Sequence, residues 1–243
     1  MIKGIFHSAA GMSPRMSQQE VVANNLANVN TTGFKADFRH FRAALNNKLL
    51  QGGDFGEPVK TTEELFFLQT DFSSGPIDQT RNPLDVAIVG KGFFAIETGE
   101  VTSYTRNGNF KINQDYELTD QRGYRVLGEA GPIRINGQNL RIKDNGEVYV
   151  DDELVDTLRI VDFEEPYPLK RNGYGYFVPN RPVDTITPEE IKMEQGALER
   201  SNVNPILQMT AMIELNRDYE SCQKAIQAQD ETLGKAVNEI AGR

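Results

Sequence analysis

A heptad pattern in the last forty residues is the feature that most restricts how this chain can fold. Between Asn204 and Arg243, mostly apolar residues recur at alternating steps of three and four, with a polar interruption at Gln229. This C-terminal stripe consists of Met212, Leu215, Tyr219, Cys222, Ile226, Gln229, Leu233, Ala236 and Ile240. So narrow a stripe is buried only against another helix. The sequence therefore predicts a long C-terminal helix with a helical partner.

Both ends of this helix carry recognisable signals. Asn204 is a favoured N-cap residue, and Pro205 follows it at the first helical position, where a missing N–H costs nothing. Gly242 comes after the last apolar residues and can adopt the left-handed conformation that ends a helix. We expect the helix to lie between these signals.

A second heptad pattern at the start of the chain supplies a candidate partner. This N-terminal stripe consists of Ile5, Ala9, Met12, Met16, Gln19, Ala23 and Leu26. Pro14 lies within it, and a proline inside a helix removes a backbone hydrogen bond. The helix is therefore either kinked at Pro14 or restarts there, and we favour a short helical turn followed by a main helix over residues 14–28.

The two stripes leave two interpretations open. The chain folds back so that its ends pair as a coiled coil, or two ordinary amphipathic helices pack on a globular core. The C-terminal helix also carries small or apolar residues on a second face, more than one partner helix covers. These are Ile206, Met209, Ile213, Ala225, Ala228 and Val237. Uncovered apolar surface of this kind marks a contact with another molecule, and so it favours an oligomer.

Between the helices the hydrophobic period changes to two. Short runs rich in β-branched and aromatic residues recur about every ten residues over 84–179, separated by Asn-Gly pairs at residues 107, 136, 145 and 172. One such run is residues 133–135. This spacing predicts antiparallel strands joined by hairpins. The expected fold class is α+β, in which N- and C-terminal heptad helices pair as a coiled coil around an inserted antiparallel all-β domain.

The same patterns divide the chain into three parts. Residues 1–35 together with 200–243 form a discontinuous helical domain, and residues 84–199 form the β-rich domain. Residues 36–83 form an extended connection, although the apolar spacing from residue 38 to 50 is also compatible with a further helix.

Composition excludes several classes of function. The formal net charge is -9 and no basic run interrupts the acidity, which argues against a nucleic-acid partner. No stretch approaches the roughly 18 uninterrupted apolar residues that span a membrane, so we expect no direct membrane insertion. Residues 1–14 lack the apolar segment of a cleaved secretory signal. The single cysteine, Cys222, excludes an intramolecular disulfide.

No pattern in the sequence indicates catalysis. His7 and His40 have no second histidine, cysteine or paired carboxylate at metal-ligand spacing. Residues 144–147 (DNGE) resemble part of a calcium loop but are better explained as a hairpin turn. We therefore expect no catalytic residues, no metal site and no cofactor.

Four stretches resemble one known family. Residues 24–35 (NNLANVNTTGFK) follow the first heptad helix, and residues 196–199 (GALE) lead through 201–204 (SNVN) into the last. Between them lie residues 81–88 (RNPLDVAI) with 92–94 (GFF), and residues 104–110 (YTRNGNF). Together these stretches resemble the bacterial flagellar rod and hook family of axial proteins.

The resemblance implies a structural, non-enzymatic role. In that family the terminal helices pair as an inner coiled coil, copies stack helically into a hollow tube, and the β domain lies outside this core. Subunits leave the cell through the flagellar type III export apparatus without a cleaved signal, and the assembled rod crosses the periplasm and links motor to hook. The implied partners are other copies of the chain, neighbouring rod proteins and the export apparatus.

Within the family, residues 128–133 (GEAGPI) and the single β domain are most similar to the proximal rod protein that adjoins the distal rod. A distal rod or hook-family subunit is the alternative. A glycan-cleaving enzyme is the less favoured interpretation, because the stretches that resemble the family leave no spare length for a catalytic domain. A secreted oligomeric β-domain binding module would explain the heptads and hairpins but not residues 24–28 (NNLAN).

The residues expected to act in assembly come from both stripes and from the signature between them. They are Ile5, Met12, Met16, Leu26, Asn28, Thr32, Gly33, Phe34, Met212, Leu215, Tyr219, Ile226, Leu233 and Ile240.

Overall fold

The computed structural model describes residues 2–41, 66–99, 101–173, 175–186 and 191–241. The chain divides into two compact units. The first unit contains Met1–Asn28, Ala36–Asp71 and Val203–Arg243, and the second contains Val29–Lys35 and Phe72–Asn202. Each unit thus combines segments that are far apart in the sequence.

The described part of the first unit contains two helices and a two-stranded ribbon. Helix α1 spans Ile2–Ala27 and helix α2 spans Pro205–Ala241. Strands β1 (Asp37–Phe41) and β2 (Phe66–Thr70) pair antiparallel.

Helix α2 begins where the sequence predicts. Asn204 Oδ1 accepts hydrogen bonds from the backbone N–H groups of Ile206 at 3.0 Å and Leu207 at 3.3 Å. These bonds satisfy two amides that have no partner within the helix. Gly242, predicted to end the helix, lies outside the described residues.

The predicted restart of the first helix at Pro14 is wrong, because α1 runs through this residue without a break. Pro14 has no N–H to donate to the carbonyl four residues earlier, so that bond is missing and costs on the order of 3 kcal/mol. Helix α1 packs along α2, and we attribute the continuous helix to this packing. The polar pairs Arg15–Asp218 and Gln19–Asn216 lie in the turns that follow Pro14.

The helix considered for residues 38–50 is also wrong at its start, because residues 37–41 form strand β1. Asp37 lies opposite Thr70 and Phe41 lies opposite Phe66. The side chain of Asn25 bonds both the N–H and the carbonyl of Asp37, a geometry suited to extended backbone. A tertiary contact thus overrides the local apolar spacing. Residues 42–50 lie outside the described residues.

The second unit is built from short strands, and every pairing described between them is antiparallel, as predicted. The first eight are β3 (Ile77–Gln79), β4 (Val86–Val89), β5 (Phe93–Thr98), β6 (Val101–Thr105), β7 (Phe110–Ile112), β8 (Leu118–Asp120), β9 (Arg125–Val126) and β10 (Leu140–Ile142). The others are β11 (Glu147–Val150), β12 (Glu153–Thr157), β13 (Ile160–Val161), β14 (Leu169–Arg171), β15 (Phe177–Pro179), β16 (Lys192–Gln195) and β17 (Ala197–Glu199).

The largest sheet has the order β14-β15-β6-β5-β9-β8-β7, with β13 also paired to β5. A three-stranded sheet runs β10-β11-β12, and two further pairs join β16 to β4 and β17 to β3. These two pairs bring the chain that leads to α2 onto strands from the first half of the unit.

Strand β5 lies between two hydrophobic clusters. Phe94 and Ile96 point into the larger cluster, whereas Phe93 and Ala95 point into a smaller aromatic one. Successive side chains of a strand point to opposite faces, so a strand buried on both sides contains apolar residues at consecutive positions. This explains why residues 93–96 show no polar alternation.

One strand predicted within the second unit is wrong. Residues 133–135 do not form a strand, and Arg134 makes an isolated bridge with Glu117. The tight turn between β11 and β12, which contains no Asn-Gly pair, is formed by Asp151 and Asp152, both at positive φ. Aspartate tolerates the left-handed region because its short side chain bonds nearby backbone, so it can replace the usual turn residues.

No helix in the described part of the chain is long and apolar enough to cross a membrane.

Candidate assembly site

Helices α1 and α2 lie antiparallel in the first unit. Arg15 Nε donates to Asp218 Oδ2 at 3.3 Å, and Gln19 Nε2 donates to Asn216 Oδ1 at 2.9 Å. Further along, Asn25 Nδ2 lies 3.5 Å from Gln208 Oε1. As the α1 residue number rises, the number of its α2 partner falls, which defines the antiparallel direction.

The face of α2 that is partly covered follows a regular spacing. From residue 212 to 233, every residue outside the C-terminal stripe is exposed. The partly covered residues are Met212, Leu215, Tyr219, Cys222, Ile226, Gln229 and Leu233. Their steps of three and four are those of a helix that keeps one face toward a partner helix. The side chain of Ile240 lies beyond those that the structure describes.

The N-terminal stripe is covered less regularly. Met12 and Leu26 are partly covered, whereas Met16 is 50% exposed and Ala23 is also at the surface. Arg15 and Val22, one position earlier in each case, are partly covered. The covered side of α1 therefore differs from the predicted stripe at two positions, where Arg15 replaces Met16 and Val22 replaces Ala23. The side chain of Ile5 is not among those described.

The first two turns of α2 carry a large apolar surface that nothing in the described chain covers. Ile206 is 73% exposed, Met209 52% and Ile213 53%. These residues follow at i, i+3 and i+7, so they share one side of the helix, and Leu207 lies beside them with 64% of its surface exposed. We call these four residues the outer apolar face. Three of its residues, Ile206, Met209 and Ile213, belong to the second face predicted from the sequence, and Ala225 and Ala228 of that face are exposed as well. The side chain of Val237 is not among those that the structure describes.

Asn25, in the signature after the first helix, connects three elements of the first unit. Its Nδ2 donates to the carbonyl of Asp37 at 2.8 Å, and its Oδ1 accepts from the N–H of Asp37 at 2.9 Å. Asp37 in turn accepts a hydrogen bond from Thr70 Oγ1 at 2.6 Å. The buried side chain of Asn25 thus joins helix α1 to the ribbon, while its amide also faces Gln208 on α2. Asn28, a predicted assembly residue, donates from Nδ2 to the Asn24 carbonyl within its own turn.

Thr32, Gly33 and Phe34 lie in the second unit and not with the helices. Thr32 Oγ1 donates to Asn107 Oδ1 at 2.9 Å. Gly33 has φ +66, and a Cβ at this position would lie 2.4 Å from the backbone nitrogen of Asn107. Only glycine fits so close an approach at positive φ. Phe34 is buried beneath the guanidinium of Arg171, whose Cζ lies 4.4 Å from the ring centroid.

A buried charge cluster lies beside these residues and was not predicted from the sequence. Lys35 Nζ donates to Glu199 Oε1 at 2.7 Å, and Arg106 Nη1 donates to Glu199 Oε2 at 3.2 Å. The side chains of Lys35, Arg106 and Glu199 are 0%, 3% and 1% exposed. We call these three residues the Glu199 cluster. Each belongs to a different signature stretch, but each appears there as a single charged residue, and no spacing or periodicity marks it as buried.

The three residues of the cluster carry two positive charges and one negative charge, and Asp162 is a further carboxylate that acts on Arg106. Burial lowers the pKa of the Arg106 guanidinium, and the carboxylates of Glu199 and Asp162 oppose that shift. Backbone carbonyls supply further negative dipoles: Arg106 donates to Ile88 at 3.4 Å and to Gly90 at 2.6 Å, and Lys35 donates to Ser73 at 2.6 Å. Arg106 Nε is buried without a hydrogen-bond partner in the described part of the chain.

The geometry is suited to holding chain segments together and presenting an apolar surface. Among the described residues, no group of three or more His, Cys, Asp or Glu side chains could hold a metal ion.

Comparison with known proteins places three matches along the chain. Residues 6–35 match the model described as flagella basal body rod protein, residues 87–150 the flagellar hook protein FlgE/F/G D1 domain, and residues 194–239 the flagellar basal body rod FlgEFG protein C-terminal.

Relatives match over nearly the whole length. The chain is 33% identical to the flagellar basal-body rod protein FlgG of Borreliella burgdorferi, over 98% of each protein. It is 31% identical to FlgG of Bacillus subtilis, over 98% of this chain and 99% of that protein. It is also 31% identical to the flagellar basal-body rod protein FlgF of Caulobacter vibrioides, over 95% and 96% respectively.

Proposed function

The chain belongs to the flagellar basal-body rod protein family, and we propose that its terminal helices pair as a coiled coil that polymerises it into the hollow axial shaft linking motor to hook. It is a structural component of the basal-body rod, and it associates with other rod proteins. The proposal concerns which residues make those contacts and what drives them.

The outer apolar face is the observation that carries the proposal. Ile206, Met209 and Ile213 are each more than half exposed on one side of α2. Fully burying a side chain of this size contributes about 1.5–3 kcal/mol, so a neighbouring copy that covers the face gains a substantial driving force. The face of α2 that contacts α1 is different from the outer face, so the outer face remains available to a neighbouring copy. Polymerisation requires that it meets a different surface of that copy, because a head-to-tail contact that does not close on itself produces a filament.

The covered positions of α2 support the coiled-coil part of the proposal. Residues spaced by three and four from Met212 to Leu233 are partly covered, and their neighbours are exposed. Three polar pairs between the helices keep an antiparallel register. Surface pairs of this kind contribute little energy, about 0–1 kcal/mol each for ion pairs such as Arg15–Asp218, so the apolar positions are the main source of pairing energy.

Within the rod, we assign the chain to the proximal segment next to the distal rod, because residues 128–133 and its single β domain are most similar to that subclass. A distal rod or hook-family subunit is the alternative, since relatives named FlgF and FlgG both match the whole chain. The same assignment makes the chain a substrate of the flagellar type III export apparatus and gives it no catalytic role.

Charged substitutions on the outer apolar face test whether it makes the contact between copies. We expect the double variant Ile206→Asp/Ile213→Asp of the full chain to keep its helix content, because both side chains are exposed in the isolated subunit. Two carboxylates buried in a contact between copies cost several kcal/mol, so assembly should be lost. Sedimentation and negative-stain microscopy of purified protein would measure assembly. Swimming of a strain that carries the variant as its sole copy would measure function.

The matched control is Gln223→Asp/Gln227→Asp, which adds the same charge at exposed positions of α2 that lie at least ten residues beyond Ile213, outside the two turns of the outer apolar face. We expect this control to assemble and to support swimming. Normal assembly and swimming by the Ile206/Ile213 variant would contradict the proposal.

A further inference from the structure

We propose that the Glu199 cluster makes the fold of the second unit conditional on both segments at its ends, residues 29–35 and 196–202. In this view these segments are structural members of the unit, and its sheets reach full stability only when Lys35, Arg106 and Glu199 are together. This goes beyond polymerisation, because it concerns how the subunit becomes complete before any contact with another copy.

Glu199 is bonded to every other part of the cluster. Oε1 accepts from Lys35 Nζ at 2.7 Å and from the N–H of Gly75 at 2.8 Å. Oε2 accepts from Arg106 at 3.2 Å, and the backbone carbonyl accepts from the N–H of Gly33 at 2.7 Å. One residue therefore holds the N-terminal segment, the segment before β3, and the end of β6.

Backbone bonds extend this contact on both sides of Glu199. The N–H of Asn202 donates to the Phe34 carbonyl at 3.3 Å, and strand β17 pairs with β3. The segment that enters the unit from the N-terminal side and the segment that leaves it toward α2 thus lie against each other. Neither can be removed without exposing or unpairing groups of the other.

The bonding pattern makes the dependence unequal among the three residues. Without Lys35, the buried Arg106–Glu199 pair remains. Without Glu199, Lys35 and Arg106 both lose the carboxylate to which they donate, in a space where all three side chains are at most 3% exposed. Breaking a buried ion pair by removing one partner is strongly destabilising, because it leaves a charge without compensation. Loss of Glu199 should therefore be the most damaging single change.

The test, in the full chain, compares two Lys–Glu ion pairs whose nitrogen–oxygen distances are similar. Lys35–Glu199 is buried at 2.7 Å, whereas Lys91–Glu165 is exposed at 2.8 Å. We expect Glu199→Gln to raise amide exchange both in residues 29–35 and in strands β4 to β6, by about 100-fold or more given the usual cost of a broken buried pair. Glu165→Gln should leave exchange unchanged within about twofold, because an exposed pair contributes little.

A second variant keeps the test decisive if Glu199→Gln does not fold. Lys35→Met retains the Arg106–Glu199 pair and should fold with a smaller increase in exchange. Equal behaviour of Glu199→Gln and Glu165→Gln, faster exchange confined to residues 29–35, or exchange in Lys35→Met that is unchanged from the parent chain would each overturn the proposal.

Discussion

Asn25 and Asp37 exchange two hydrogen bonds through which a side-chain amide takes the place of a neighbouring strand. Asn25 Nδ2 donates to the Asp37 carbonyl at 2.8 Å, and the Asp37 N–H donates to Asn25 Oδ1 at 2.9 Å. An asparagine side chain can supply one donor and one acceptor at this spacing, as a peptide group does. The buried start of strand β1 is thereby joined to helix α1.

We expect Asn25→Ala to destabilise the first unit by about 2 kcal/mol or more, because it removes both of these partners from a buried backbone. Asn24→Ala is the matched control, since the side chain of Asn24, the residue before Asn25, is exposed. Amide exchange at Asp37 and along β1 would measure the effect. Equal exchange in the two variants would show that the Asn25 bonds do not hold the ribbon.

Ile226→Asp should separate the two helices, because it places a carboxylate at a partly covered position of the C-terminal stripe. We expect a loss of about 2–4 kcal/mol in the stability of the helix pair and a loss of assembly. Gln227→Asp adds the same charge at the adjacent exposed position and should change little. Far-UV circular dichroism during urea unfolding would compare the two. A helix pair of unchanged stability in Ile226→Asp would contradict the assignment of this face.

Gly33→Ala should destabilise the second unit by about 2–4 kcal/mol. The new Cβ would lie 2.4 Å from the Asn107 nitrogen, and φ +66 is itself unfavourable for alanine. Gly173→Ala is the control, because a Cβ there meets no atom within 4 Å. Near-UV circular dichroism is a suitable probe, since seven of the eight tyrosines lie in the second unit. Equal unfolding midpoints for the two variants would exclude a requirement for glycine at position 33.

The stability of the second unit should fall as pH rises above about 10, the ordinary pKa of tyrosine. Burial raises the pKa of Tyr104 and Tyr167, and burial together with the hydrogen bond to Asp120 raises the pKa of Tyr176. Above pH 10 the unfolded chain therefore loses protons that the folded chain retains. The stabilising effect is complete below pH 10 and is lost as pH rises toward the folded-state values, by up to about 1.4 kcal/mol per pH unit for each tyrosine.

Tyr176→Phe should make this alkaline loss shallower, whereas Tyr116→Phe, at a side chain 60% exposed, should leave it unchanged. Urea unfolding of both variants between pH 9 and pH 11 would measure the two slopes. An unaltered slope in Tyr176→Phe would contradict the role assigned to its buried hydroxyl.

The heptad spacing located the covered side of α2 because a helical period alone determines which residues share a face. The same reasoning was less successful for α1, where Met16 and Ala23 are exposed and Arg15 and Val22 are partly covered. Arg15 reaches Asp218 on α2, a contact that no periodicity within α1 encodes. Spacing thus predicts that a helix has a partner more reliably than it predicts how the partner is aligned.

Contacts between distant segments account for most of what could not be predicted. Strand β1 forms where the apolar spacing is also compatible with a helix. Its first residue, Asp37, is hydrogen-bonded to Asn25, and the whole strand pairs with β2. The Glu199 cluster joins three signature stretches whose spacing in the sequence carries no information about their contact. Lys35 and Glu199 appear in the sequence only as ordinary charged residues, and their burial is visible only in the folded chain.

The separation of the Glu199 cluster along the chain also bears on the order of folding. Glu199 closes one loop of 164 residues with Lys35 and another of 93 residues with Arg106. The entropy of loop closure grows slowly with length, so the longer loop costs only about 0.5 kcal/mol more than the shorter one. Contacts of such high contact order slow folding, and they require both ends of the loop to be present. A chain that emerges from a channel, in either direction, therefore cannot complete this unit until almost all of it has passed through.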